Sequence, residues 1–342
     1  MESIYILESG TYIRRRGDSL LVYKSKELIR EIPAAGLKRL ILTGYISLSG
    51  PILDFLIKNR IETVFITPSG RFRARLTLDE HRHVALRQAQ YLNLADQKFK
   101  LNVARIIVTG KISNSLKMMM RKNREVAKSS LKQVIIQLKA LLERVESASD
   151  MALLTGIEGA AARCYFNGFS HLITNNDFGF RGRNRRPPKD PVNAMLSFVY
   201  TMLTNEVLSA INTVGLDPYL GALHEIVYGR PSLACDLVEE YRAFLGDRFV
   251  LSLINRRMVT HDDFIMQKTK QENPDIPKPL PVLMKPMISQ TFIRTYEEMM
   301  NRRLYYPPSQ EHLTYRGIIG KQVRRFAESL QNPDNPYEPF TM

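Results

Sequence analysis

The chain has 342 residues, long for one domain and comfortable for two. Hydrophobic residues make up 44%, enough for a sizeable core, which excludes wholesale disorder. The 49 Lys and Arg against 34 Asp and Glu leave a formal net charge of +15. That excess is either a positively biased soluble surface or the footprint of an anionic partner, with nucleic acid ahead of membrane because no basic amphipathic anchor stands out. Cys164 and Cys235, the two cysteines, cannot form a zinc knuckle or a disulfide framework and read as small buried hydrophobes. The start, MESIYILESG, has no basic region followed by an apolar core. No apolar run approaches the roughly 18 residues that span a bilayer. The expectation is a cytoplasmic protein without a membrane.

Short β-branched or alternating runs predict strands over 3–7, 11–15, 19–24, 27–32 and 38–42, separated by Ser-Gly, Gly-Asp, Ser-Lys and Gly turn signals. Ile52, Phe55 and Leu56 predict a short helix over 51–59, followed by strands over 63–66 and 72–76. The charged stretch LDEHRHV then reads as a linker, and helical periodicity takes over, with helices expected over 87–108, 115–140 and 151–166. Asp190 and Pro191 open the best-marked helix, and Gly215 waits at its far end. Another helix is expected from Pro231 and Ser232 onward, carrying Asp236 and Glu239. The fold class is therefore α+β: a small β-rich N-terminal domain over 1–78, a linker over 79–88, a larger all-helical domain over 89–330 and a Pro-rich tail over 331–342.

Acidic and histidine signals stand out against this basic background. Glu158 precedes the small-residue run Gly159, Ala160, Ala161 and Ala162. Small side chains permit close helix contact, which would bury the carboxylate and demand a cation; a helix-start glutamate favoured by the dipole is an equal reading. His224 lies in an apolar segment, where a hydrogen-bonded core histidine is the ordinary outcome. Asp236, Glu239 and Glu240 fall at i, i+3 and i+4 on an otherwise apolar helix, a face that is either solvated or holds a cation. Oxygen donors with one imidazole suit a divalent ion of the magnesium or manganese kind, although no HExxH or CxxC spacing is present.

The basic counterpart is RGRNRRPPKD, with Arg181, Arg183, Arg185 and Arg186 in a Gly- and Pro-marked loop. Arginines give bidentate phosphate contacts, and a solvated basic turn is the plainer alternative. Arg14–Arg16, and Arg71, Arg73 and Arg75, read as edge-strand charges that discourage aggregation. Lys111 and Asn114 follow the run ARIIVTG and would reach a phosphate or cap the helix end. Tyr165, Tyr200 and Tyr241 sit at apolar helical positions and read as core.

The stretches GRFRARL, LLTGIEGAAARCYF, RGRNRRPPKDPVNAMLSFVYTML, GLDPYLGALHE, GRPSLACDLVEEYR and DRFVLSLINRR occur in one order. With them the chain resembles the CRISPR-associated protein one family, the CRISPR adaptation integrase and endonuclease, over essentially its full length. RGRNRRPP and RFVLSLINRR resemble the I-C subtype most. The resemblance implies metal ligands at Glu158, His224 and Glu239, with Asp236 as an additional catalytic acid one turn earlier, and Mg2+ or Mn2+ as cofactor. It implies an N-terminal domain that dimerises and a helical catalytic domain. It also implies DNA partners (prespacer and CRISPR repeat), a homodimer, and hetero-oligomers with the small CRISPR-associated protein two and with CRISPR-associated protein four. The implied reaction joins a prespacer 3′-hydroxyl to the array by transesterification. A plain metal-dependent nuclease using water, and a non-catalytic DNA-binding scaffold, are the rival readings. For DNA contacts, the residues named are Arg181, Arg183, Arg185, Arg186 and Lys111.

Overall fold

The computed structural model describes residues 3–67, 72–76, 83–126, 129–184, 187–266 and 282–341, which divide into two compact units. The first contains β1 (Ser3–Ile6), β2 (Thr11–Arg16), β3 (Ser19–Lys24), β4 (Glu27–Pro33), β5 (Arg39–Thr43), β6 (Ile46–Leu48), α1 (Gly50–Lys58), β7 (Glu62–Ile66) and β8 (Phe72–Leu76). One sheet has the order β1-β5-β7-β8, with β1, β5 and β7 parallel and β8 antiparallel. The other runs β4-β3-β2-β6 and is antiparallel except where β6 joins β2. Alternation does the work of assembly. Ile4, Ile13, Leu20, Val22, Leu40 and Leu42 point inward from both sheets and meet Ile52, Phe55 and Leu56 of α1 in one core. On the other face of β2 and β3, Tyr12 and Tyr23 lie directly opposite each other and stack at 5.0 Å.

The second unit is helical: α2 (Val84–Ala95), α3 (Gln97–Val126), α4 (Ser129–Glu146), α5 (Met151–Phe169), α6 (Pro191–Val214), α7 (Ser232–Leu237), α8 (Glu239–Tyr241) and α9 (Arg248–Asn255). A π-helical segment, Arg242–Asp247, joins the last two. The chain then returns to the first unit with β9 (Phe264–Ile265), β10 (Leu283–Met284) and most of α10 (Pro286–Met300), a return that the expected single span 89–330 does not contain. Tyr5 donates to Glu297 there at 3.2 Å. Last come β11 (Arg303–Tyr306), β12 (Glu311–Thr314) and α11 (Tyr315–Gln331), which packs on α2 and α6 in the second unit.

Expectations change at several points, and the helix expected over 115–140 takes in the end of α3 and part of α4. The helix expected over 87–108 is two helices, because Asp96 adopts an extended conformation and its carboxylate caps α3 by accepting from the Phe99 amide at 2.7 Å. Lys111 and Asn114 therefore lie in mid-helix, since α3 continues to Val126. Much of the expected linker is α2, which begins at Val84; residues 79–82 fall outside the described set.

The α6 boundaries follow their signals. Asp190 accepts from the Asn193 amide, Pro191 occupies the first turn, and Gly215 terminates the helix in the left-handed region at φ +93°. Contrary to the expectation that no apolar run is long enough, α6 passes for a bilayer span by length and composition. Yet 61% of its most apolar window is buried inside the protein, as in a core helix. It also carries Glu206, buried and paired with Arg316 at 2.9 Å.

Candidate functional site

The site is built from α3, α5, the 215–225 loop and the irregular run from α7 to α9. In α5, Asp150 caps the first turn through the Leu153 amide, and Leu154, Ile157, Ala161, Cys164 and Tyr165 bury one face. Glu158 sits at the edge of that face and meets α3 through a bond from the Lys111 ammonium. The same ammonium lies 2.8 Å from Oε2 of Glu239, and Arg242 holds Oε1 of Glu239 at 2.9 Å. Lys111 thus stands between the two glutamates.

These charges set one another. Burial pushes the Glu239 pKa upward, but Arg242 and Lys111, with His224 contributing, overcome it and hold the value at about 2. Burial opposes the charge of Lys111 too, and Glu239 and Glu158 outweigh it, so its pKa is raised. Glu239 and Lys111 are therefore both charged at neutral pH. Glu239 Oε2 accepts no well-directed hydrogen bond, although the Lys111 nitrogen is within ion-pair distance. The cation already at that oxygen is the Lys111 ammonium.

His224 is positioned by a different set of residues. Gln90, fully buried on α2, donates to the carbonyls of Asp217 and Leu220 at 2.8 and 3.0 Å and accepts from the Asp217 amide at 2.8 Å. Next along the loop, Asp236 accepts the amides of Ala222, Leu223 and His224 at 2.6, 3.0 and 2.9 Å. Its Oδ1 also lies 2.7 Å from Nδ1 of His224. A carboxylate that already accepts three amides accepts from Nδ1 as well, which leaves the Nε2 lone pair as the one able to ligate an ion. Asp236 has spent its acceptor sites on the loop and acts behind His224. Gly221 is required here, because a Cβ would come within 2.9 Å of the Ser232 carbonyl carbon and 3.0 Å of the Leu233 amide nitrogen.

Asp236, Glu239 and Glu240 do not share the common face that their spacing suggests. Glu240 points away from Glu239, into a pocket closed by the C-terminal tail, where it accepts from the Tyr337 hydroxyl, the Phe340 amide at 2.6 Å and Gln322 at 3.4 Å. Burial raises its pKa to about 7 against those hydrogen bonds. Asn114 ties the same place together, donating at 2.8 Å to the carbonyls of both Glu240 and Phe340. Phe340 stacks on Tyr241 at 5.5 Å, and Pro339 packs where Gly110 of α3 leaves room. Sequence reasoning missed this strap because a Pro-rich terminus carries no periodicity.

A second group escaped the sequence as well. Tyr165, buried, and Tyr200, half-buried, donate to Asp247 at the end of the π-helical segment. Burial raises the Asp247 pKa to about 6, opposed by the two tyrosines and by Arg183 and Arg242. Both guanidinium groups lie over the Tyr200 ring, at 5.2 and 5.0 Å. Arg183 further donates to Asn184, Asn193 and Ser197, so it braces its own loop against α6. Arg181 is exposed, and Arg185 and Arg186 lie outside the described residues.

Among the described residues, no three His, Cys, Asp or Glu side chains stand at metal-ligand spacing, with Lys111 between the two glutamates. The donor chemistry nevertheless fits a divalent ion. Two carboxylates and an oriented imidazole are present, and the position between the carboxylates is already one that a cation, the Lys111 ammonium, occupies.

The profile of the family described as "CRISPR associated protein Cas1" matches residues 4–298. CRISPR-associated endonuclease Cas1 3 of Thermus thermophilus is 36% identical over 341 residues, covering 99% of this chain and 97% of the relative. A CRISPR-associated exonuclease Cas4/endonuclease Cas1 fusion of Geobacter sulfurreducens is 30% identical, covering 98% of this chain and 60% of the fusion. Among solved structures, a casposase bound to integration product superposes with TM-score 0.81 at 23% identity, over 99% of this chain and 93% of that one. A Cas6-RT-Cas1–Cas2 complex contains a chain with TM-score 0.80 at 20% identity, over 99% of this chain and 36% of that one. These two likenesses concern the fold.

Proposed function

We propose that this chain, which belongs to the CRISPR associated protein Cas1 family of endonucleases, is a metal-dependent DNA integrase that inserts prespacer DNA into a CRISPR array. The observation that carries the reading is the juxtaposition of Glu158 and Glu239 around one cationic group, with His224 close enough to act electrostatically on Glu239. Glu158, Glu239 and Nε2 of His224 are the residues that would hold Mg2+ or Mn2+, the mixed nitrogen and oxygen set favouring Mn2+ slightly. When bound, the ion supplies Lewis-acid polarisation of the scissile phosphodiester and stabilisation of charge on the leaving 3′ oxygen.

The chain's own residues supply orientation. Asp236 fixes the ring proton of His224 and the loop that bears it. Arg242 keeps Glu239 ionised in a buried place. The exposed Arg181 contributes to backbone contact, and Arg185 and Arg186 share that role in this reading. The prespacer 3′-hydroxyl gives its proton to solvent and attacks in line at the repeat boundary, its new bond to phosphorus forming as the bond to the leaving 3′ oxygen breaks and that oxygen takes up a proton from solvent.

Other parts of the reading follow the relatives. A Cas1–Cas2 complex and a Cas4/Cas1 fusion favour partners of the Cas2 and Cas4 kinds, and the N-terminal sheets would serve a homodimer. The stretches RGRNRRPP and RFVLSLINRR favour the I-C subtype, and the cytoplasm is the proposed location.

The test is strand transfer of a short duplex with free 3′-hydroxyls into a supercoiled plasmid carrying a CRISPR repeat. It would be run with Mn2+ or Mg2+ and the Cas2 partner. Joined products are expected, and they should disappear in Glu158→Gln and when the 3′ ends are blocked. Nicking that ignores the 3′ ends would establish a hydrolytic nuclease instead, and no metal-dependent product would leave a binding scaffold.

A further inference from the structure

A site that holds a divalent ion by itself ordinarily offers it surplus negative charge. Here the surplus is already cancelled. Arg242 occupies one oxygen of Glu239, Lys111 faces the other, and Lys111 bonds Glu158 as well, so two carboxylates meet two cations. These groups are poorly hydrated: the side chains of Glu239 and Lys111 are 2% and 17% exposed. Their mutual interactions are therefore weakly screened. An ion drawn to Glu158 and Glu239 meets the ammonium at the same two carboxylates.

Resting on the assignment of Glu158, His224 and Glu239 as ion ligands, we propose that Lys111 makes divalent-ion binding conditional on DNA. In the free protein the ammonium serves as the internal counter-ion of the two glutamates, and a divalent ion competes with it at a disadvantage. A DNA phosphodiester brings the negative charge that lets both cations stay. The lysine is suited to this exchange, because its charge sits on a flexible four-carbon stem and can turn from the glutamates to a phosphate oxygen without leaving the site. Arg242 is not: it is fixed under Glu239 and over Tyr200. The device would keep the free protein short of its ion, and so unable to cut, until a substrate is seated.

The experiment is a Mn2+ titration of the full chain, reading free ion by electron paramagnetic resonance. It is run with and without a duplex whose 3′ ends are blocked, correcting for Mn2+ held by that duplex alone. The wild type should bind Mn2+ about tenfold or more tightly with DNA present, the scale of ordinary site-to-site coupling. Lys111→Met should bind it about tenfold or more tightly than wild type without DNA, and gain little from adding DNA. Equal affinities of Lys111→Met and wild type in the absence of DNA would overturn the proposal. If Lys111→Met does not fold alone, Mn2+ should restore its circular dichroism, and failure to restore it would overturn the proposal equally. Glu239→Gln separates this from the ligand assignment beneath it. Mn2+ binding unchanged by that substitution would remove the assignment, whereas binding lost there but indifferent to Lys111 would remove only the present inference.

Discussion

A buried carboxylate survives in one of a few ways, and Asp236, Glu239 and Glu240 use three of them within five positions. Asp236 is neutralised by loop amides and an imidazole, Glu239 by two cations, and Glu240 by neutral hydrogen-bond donors that leave its pKa near 7. Asp247 belongs with Glu240, held by two tyrosine hydroxyls and raised from 3.8 to about 6. Its folded-state pKa exceeds the unfolded value, so the native state binds the proton more tightly. The stabilisation it confers is complete below pH 3.8 and is lost as the pH rises through about 6. Asp247→Asn keeps the shape and removes the titration. Chemical denaturation between pH 4 and pH 7 should then show wild type losing on the order of 2–3 kcal/mol relative to the variant as pH rises. Parallel pH curves for the two proteins would contradict this account of Asp247.

At the scale of elements, the irregular run from α7 through α9 is held in place by the C-terminal tail. Phe340, 7% exposed, stacks on Tyr241 and packs on Phe244, and its amide and carbonyl tie into Glu240 and Asn114. Phe340→Ala should cost about 3–5 kcal/mol, the usual range for emptying such a position. A melting temperature within 1–2 °C of wild type, where each lost kcal/mol lowers it by roughly 1–2 °C in a chain of this size, would show that the tail is not a strap. The strands and the α6 boundaries were legible because their signals are local: alternation between turn residues, and Asp-Pro at one end with Gly at the other. The split at Asp96 was not, since helical periodicity continues on both sides and only the backbone of one residue changes. Nor was the π-helical segment, because its near-continuous apolar pattern is buried whichever helical period it follows. Glu158, His224 and Glu239 drew notice as polar groups in apolar runs. Of the partners that decide what each does, Arg242 stands only three residues after Glu239, but Lys111 and Gln90 come from distant segments and leave no spacing to read.

For the molecule as a whole, a net charge of +15 accords with the DNA partner of the proposed function. Within that basic chain the second unit gathers two glutamates paired to one lysine ammonium, and an oriented histidine that acts electrostatically on one of them. The account stands or falls on a divalent ion binding there. The most direct measurement is anomalous scattering at the manganese edge from crystals of the full chain grown with Mn2+ and a blocked DNA duplex. The account predicts a peak bounded by Glu158, Glu239 and Nε2 of His224, with Asp236 behind the imidazole and the Lys111 nitrogen displaced from between the glutamates. A Lys111 nitrogen still bridging the two glutamates, with manganese elsewhere or absent, would contradict it.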